Sequence, residues 1–245
     1  MMNTNKNSYT IIYAAVLVIV VAATLAFISG VLKAPQAKNI EIEKKLNILM
    51  SVNKANNQDD AKNKNEYIEN EYKKYIDEQF LVNIKGERIE GDAFNTDLKQ
   101  ELEKSENDRR LPVFVCNDNG NKLYVFPVYG PGLWGPIWGY ISLKNDFNTI
   151  FGAVFDHKGE TPGLGAEIVT LKFRERFTNK KLYNNEQFVS VKVIKAGSAP
   201  TDVHSVDGVS GGTITSKAVS TLLFNSMENY KAFFTKQKQA LSTQN

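Results

Sequence analysis

The chain of 245 residues is nearly balanced in charge, with 30 basic and 27 acidic residues, and the bases are not gathered into one stripe of sequence. That argues against nucleic acid as a partner. A single cysteine, Cys116, excludes an intrachain disulfide and a cysteine-ligated zinc or iron–sulfur centre. His157 and His204 lack ligand spacing to each other, so no His/Cys metal site is expected. The length allows one membrane segment plus one compact domain, or two small ones.

Residues 1–8 are mostly polar, with Lys6 the one cation. Ile11 to Leu32 then carries no charge. At 1.5 Å per residue that stretch spans roughly 33 Å as a helix, enough for a hydrocarbon core. A cleaved signal has a shorter apolar core, and no cysteine follows closely enough for a lipid anchor, so a retained transmembrane helix is expected. Lys33, Lys38, Lys44 and Lys45 follow the span. The positive-inside count therefore leans towards a cytoplasmic C-terminal domain, a weak rule where a long domain follows.

Pro35 is expected to end the membrane helix. Ile42, Leu46 and Leu49 then mark a second helix at helical spacing, and residues 53–65 read as a polar linker. Ile68, Tyr72, Tyr75 and Ile76 predict a helix over 66–79, its charged residues forming a solvated face. From Phe80 the pattern changes to strands. The runs 111–117 and 122–128, joined by D-N-G-N, predict a hairpin. Cys116 lies in the first run and reads as a buried small hydrophobe. Further strands are expected in the second half of 129–143 and over 149–157. The segment 168–177 reads as a helix. Val189, Val191 and Val193 alternate with Ser190 and Lys192 as in a half-buried strand. Val219, Leu222, Leu223, Met227, Tyr230, Phe233 and Phe234 predict one amphipathic C-terminal helix.

Three glycine-rich loops stand out, at 129–135, 158–166 and 207–213. Glycine lets a backbone turn sharply and lets a bulky group come close. None of the three matches a P-loop or a dinucleotide fingerprint. Taken singly, each is a tight turn. The third, D-G-V-S-G-G-T-I-T-S over Asp207–Ser216, runs into the C-terminal helix. A helix N-terminus favours phosphate, and a Thr or Ser there also caps the helix. These arguments do not choose between a bound phosphate and a covalent phosphoester.

D-G-V-S-G-G-T resembles the flavinylation motif Asp-x-x-Ser/Thr-Gly-Ala/Gly-Thr, and here Gly212 stands where alanine is more usual. The segments GLWGPIWGY and FDHKGETPGLGAEI resemble those of the C subunits of the Na+-translocating NADH:quinone reductases. The G subunits of the Rnf ferredoxin:NAD reductases share the motif and the ETPGLG loop; GLWGPIWGY favours the quinone reductase. The resemblance covers most of the chain and is loose over 50–110.

It implies FMN joined to Thr213 by a phosphoester, made by a separate magnesium-dependent flavin transferase with FAD as donor. Asp207, Ser210, Gly211 and Gly212 are the matching motif positions. It implies no catalytic residue and no metal, but an electron relay between other membrane subunits of a sodium-exporting complex. The chain would bind neither NADH nor quinone. Leu133 or Trp134 would pack near the isoalloxazine ring. Thr161, Gly163 and Leu164 would line its other side or meet the ribityl chain, with Glu160 bracing their loop. The flavin domain of the resembled family faces the periplasm of a bacterial inner membrane, against the lysine count, and the resemblance is given precedence. Pattern and resemblance together predict an α+β chain: tail and transmembrane helix in 1–34, a helical linker region in 35–79, and a mixed α/β FMN-binding domain with a mainly antiparallel sheet in 80–245. The rival from another class is a membrane-anchored adaptor whose glycine loops are only turns.

Overall fold

The computed structural model describes residues 7–55, 57–59, 61–118 and 120–243. Lys6 and the rest of the first tail lie outside them, as does Asn119 of the predicted hairpin turn. Two compact units emerge, Met1–Lys44 and Lys45–Asn245. The described residues of the first unit, 7–44, are helical. They belong to α1 (Asn7–Ser51), which is long and apolar enough to cross a membrane. Pro35 lies inside α1 rather than at its end. Proline removes one backbone bond to the preceding turn, and long apolar helices absorb that loss as a bend. The expected second helix is the continuation of α1.

The second unit is built on a six-stranded antiparallel sheet in the order β2-β1-β3-β4-β5-β6. Its strands are β1 (Ile76–Val82), β2 (Arg88–Ile89), β3 (Leu111–Asp118), β4 (Asn121–Pro131), β5 (Pro136–Leu143) and β6 (Ile150–His157). Helix α2 (Lys64–Tyr75) precedes it, and α3 (Leu98–Glu103) lies between β2 and β3. Ile76, expected on a helix face, is the first residue of β1.

β3 and β4 read as continuous apolar runs because both faces of the sheet are covered. Val113, Val115, Phe126 and Val128 point into the main core; Phe114, Cys116, Leu123 and Val125 point into a second cluster with Ile48, Val52 and Tyr140. The main core holds the side chains of α5 (Thr213–Glu228) and α6 (Lys231–Thr243). Phe126 meets Tyr230 and Phe234 with ring centroids 4.8 and 5.1 Å apart. Edge-on packing of this kind adds to the area buried. All seven apolar residues predicted on the C-terminal helix are buried, but four lie on α5, two on α6, and Tyr230 in the break between them. Their three- and four-residue steps continue across the break, so periodicity alone does not reveal it.

Two other segments depart from the expected pattern. Residues 168–177 form a 3-10 turn (Gly165–Val169), the short α4 (Leu171–Arg174) and a second 3-10 turn. Thr170 is extended, and its hydroxyl donates to the Glu167 carbonyl at 2.7 Å, which competes with helix continuation. The expected valine strand splits into β8 (Gln187–Phe188), paired with β7 (Tyr183–Asn184), and β9 (Lys192–Ile194). Ser190 between them has φ +58° and is buried, not solvent-facing. β9 pairs in parallel with β10 (Ser205–Asp207), which feeds the third glycine loop.

Candidate functional site

The site is assembled where three connections meet: the β4–β5 hairpin, the loop after β6, and the β10–α5 loop. In the hairpin, Pro131 pairs with Pro136 and the Gly132 amide donates to the Gly135 carbonyl at 2.8 Å. Leu133 and Trp134 are left at the tip, 44% and 66% exposed. Trp134 is therefore not a core aromatic. The loop after β6 carries Glu160, only 4% exposed. Its Oε1 accepts from the Leu133 and Trp134 amides at 2.8 and 3.1 Å, and its Oε2 accepts from the Thr215 hydroxyl at 2.6 Å. One carboxylate thus joins all three connections.

Burial raises the pKa of such a carboxylate, but the Thr215 hydroxyl and the Trp134 and Leu133 amides favour the charged form. Its value lies below that of an ordinary glutamate. The Glu160 amide in turn donates to His157 Nδ1 at 3.1 Å. Both carboxylate oxygens are engaged by the chain itself, so Glu160 braces the site.

The β10–α5 loop has a fixed base and an exposed tip. Asp207 Oδ1 accepts from the Gly197 amide at 2.8 Å, and Arg176 Nη1 donates to the Asp207 and Gly208 carbonyls, each at 2.8 Å. The Val209 amide donates to Ser216 Oγ at 3.0 Å. Beyond this base Ser210, Gly211 and Thr213 are exposed, while Thr215 and Ser216 are buried. Thr213 is the first residue of α5, and its cap residue Gly212 supplies no side-chain hydrogen bond. Free N–H groups and the helix dipole at such an end favour phosphate.

The loops after β6 and β10 pack closely. A Cβ on Gly165 would lie 2.5 Å from Thr215 Oγ1 and would also strike Glu160 Oε2. Leu164, 44% exposed, lies against Gly211. Gly163, Asp207 and Ser210 line a common cavity of about 520 Å³ with Arg176. Thr161 is exposed, and its carbonyl accepts from the Leu164 and Ala166 amides at 3.1 Å.

Sequence reasoning weighed Thr215 and Ser216 only as helix caps or alternative attachment residues, and missed Arg176 and the exposed Ile214 as parts of this constellation. The helix phase held the signal for the first two, since Thr215 and Ser216 precede buried Val219 by four and three residues.

The three connections thus leave exposed apolar side chains, an exposed hydroxyl and a helix end of the kind that can hold a phosphate, in a chain whose first helix is long and apolar enough to cross a membrane. The family model of the FMN-binding domain matches residues 132–228, which include all three connections. The solved structure of the C subunit of the Na+-translocating NADH-quinone reductase from Parabacteroides distasonis is 44% identical, with a TM-score of 0.75. The match covers 83% of this chain and 97% of that one. The C subunit of the Vibrio anguillarum reductase is 32% identical over 60% of this chain and 65% of its own length. That of Haemophilus ducreyi is 29% identical over 89% of this chain and 88% of its own length. The chain belongs to the family of C subunits of the Na+-translocating NADH-quinone reductases.

Proposed function

We propose that the chain carries FMN on Thr213 through a phosphoester and relays electrons between other subunits of a membrane NADH:quinone reductase that exports sodium. The observation that carries this reading is the exposed Thr213 at the uncapped start of α5, next to exposed Ile214 and to Leu164 against Gly211, with exposed Leu133 and Trp134 on the hairpin tip that Glu160 ties to α5. The α5 N-terminus would hold the phosphoryl group. The apolar side chains would hold the isoalloxazine ring, and Thr161 and Gly163 would flank the ribityl chain. When bound, FMN supplies electron transfer; the chain supplies position and environment. Asp207 and Ser210 contribute in different ways. Asp207 shapes the base of the loop, while exposed Ser210 remains readable by a flavin transferase.

By this reading α1 anchors the chain once in the lipid bilayer of a bacterial inner membrane, with the domain on the periplasmic side. The test is co-expression with a flavin transferase, denaturation, and peptide mass mapping. An FMN-sized mass on the Thr213 peptide supports the reading. An unmodified peptide beside an active transferase overturns it.

A further inference from the structure

We propose that the Glu160 carboxylate does more than brace the loops: its buried negative charge keeps the potential of the bound flavin low. This rests on the reading of Thr213 as the flavin carrier, with the ring against the hairpin tip.

Glu160 is 4% exposed, and its three donors are the Leu133 amide, the Trp134 amide and the Thr215 hydroxyl. All three are neutral. Among the described residues, Glu160 forms no ion pair. A carboxylate taken out of water is costly and is normally paired with a cation. Here the charge is retained and left without one. A brace alone does not require it. A glutamine oxygen can accept the same two amide bonds, and a glutamine NH2 can donate to the Thr215 hydroxyl oxygen.

The groups that meet Glu160 do not cancel its charge. The hairpin tip Gly132–Gly135 carries no titratable side chain, and neither do Gly165 and Thr213–Ser216. His157 accepts the Glu160 amide at Nδ1, at 3.1 Å, a bond made by the neutral imidazole. Lys158 and Lys217 are exposed, and Asp156 and Glu167 are half-exposed, so solvent screens all four. The start of α5 adds a partial positive charge, which the phosphoryl group on Thr213 would take up.

The carboxylate stands between the two parts of the proposed flavin site. It holds the backbone of Leu133 and Trp134 on one side, and on the other the side chain of Thr215, two residues after Thr213. A charge buried there acts on a ring at the hairpin tip with little screening. Full reduction takes two electrons from an electron-donating subunit and one proton from solvent, and leaves the ring with one more negative charge. Glu160 opposes that charge, so the potential falls. The electron chemistry belongs to the flavin, and the chain sets its level.

The test is a redox titration of the full chain in detergent, loaded with FMN by co-expression with a flavin transferase and followed by absorbance at pH 8. Glu160→Gln is expected to raise the ratio of reduced to oxidised flavin about tenfold at a fixed ambient potential, a shift of about 30 mV upward for a two-electron couple. The shift is expected to persist at high salt, because the charge is buried. Glu160→Asp keeps the charge but is too short to hold all three donors, and is expected to stay within about twofold of the wild type. Glu160→Met with Thr215→Val removes the charge and its hydroxyl donor together, and is expected to match Glu160→Gln. Either charge-free chain serves, so a folding defect in one leaves the measurement to the other. A wild-type potential in the charge-free chains, with flavin on Thr213, overturns the inference alone. Equal shifts in Glu160→Gln and Glu160→Asp assign the effect to loop geometry and also overturn it. A wild type that takes no flavin on Thr213 overturns the underlying reading instead.

Discussion

The Thr215 hydroxyl donates to Glu160 Oε2 at 2.6 Å across 55 residues of sequence, and both side chains are buried. The same carboxylate holds the two amides at the hairpin tip, so this bond ties α5 to Leu133 and Trp134. Removing the hydroxyl leaves a buried carboxylate short of a donor. Thr215→Val is expected to cost about 1.5–3 kcal/mol, the range for hydrogen bonds to charged groups. Glu160→Gln weakens the same network, so the two losses are expected not to add. Denaturant unfolding of both single variants and the double variant measures the coupling. Additive losses would mean that the two side chains act independently.

The charge on Glu160 makes the brace sensitive to acid. Its folded pKa lies below the ordinary value of 4.5, because the hydroxyl and amide donors outweigh burial. The unfolded state therefore binds the proton more readily, and its contribution to stability is complete above about 4.5. It is lost as pH falls from there through the folded value. Unfolding free energies measured from pH 7 to pH 3 are expected to show this fall in the wild type. Glu160→Gln is expected to fall less over the same range. Equal slopes would place the acid sensitivity elsewhere.

Gly211 and Gly212 are adjacent but are not equivalent. Gly211 has φ +72°, and a Cβ there would lie 2.5 Å from Leu164 Cδ2. Gly211→Ala is expected to cost roughly 1–2 kcal/mol from the left-handed backbone alone, and to displace Leu164. Gly212 has φ −107°, and its added methyl would lie 3.1 Å from Val209 and 3.4 Å from the Gly165 Cα. Gly212→Ala is expected to be the milder change and to keep Thr213 loadable, in keeping with the alanine more usual at that motif position. Thermal unfolding and flavin loading of both variants check the order.

Cys116 offers a clean probe of the sheet, as the only cysteine. Burial pushes its thiol up to about 11, with Lys54 opposing the shift. At pH 8 about one thiol in a thousand would be ionised, and the thiolate is the reactive form. Iodoacetamide is expected to leave the native chain unlabelled and to label it fully in denaturant. Rapid native labelling would show that the second cluster opens readily.

The strands β3 to β6 are legible in the sequence because apolar runs and turn residues mark them locally. The meeting of the three glycine loops is legible only in part. Residue types draw attention to each loop, but the Glu160 carboxylate that joins them spans a long sequence separation that no local pattern encodes. Alternation misplaces Ser190, because it runs straight through a residue that the fold holds at φ +58°. Pro35 misleads for the opposite reason: a local breaker sits in a helix long enough to continue past it. The exposure of Trp134 is invisible in the sequence, since a tryptophan between glycines packs inward or outward according to what the next loop supplies.

Burial decides which hydroxyl in Asp207–Ser216 can be modified. Ser210 and Thr213 are exposed, whereas Thr215 and Ser216 are 1% and 4% exposed. Each buried hydroxyl is also committed, Thr215 to Glu160 and Ser216 to the Val209 amide. A transferase reaching either would have to unwind the first turn of α5. Thr213→Ala is therefore expected to abolish covalent FMN without shifting it to Thr215 or Ser216, and to leave the fold intact. Ser216→Ala is expected to keep the label on Thr213 while lowering stability by about 1 kcal/mol, through loss of the bond that fixes the base of the loop. Peptide mass mapping after loading reads both outcomes. Flavin found on Thr215 in the Thr213→Ala variant would mean that the start of α5 opens in the complex with the transferase.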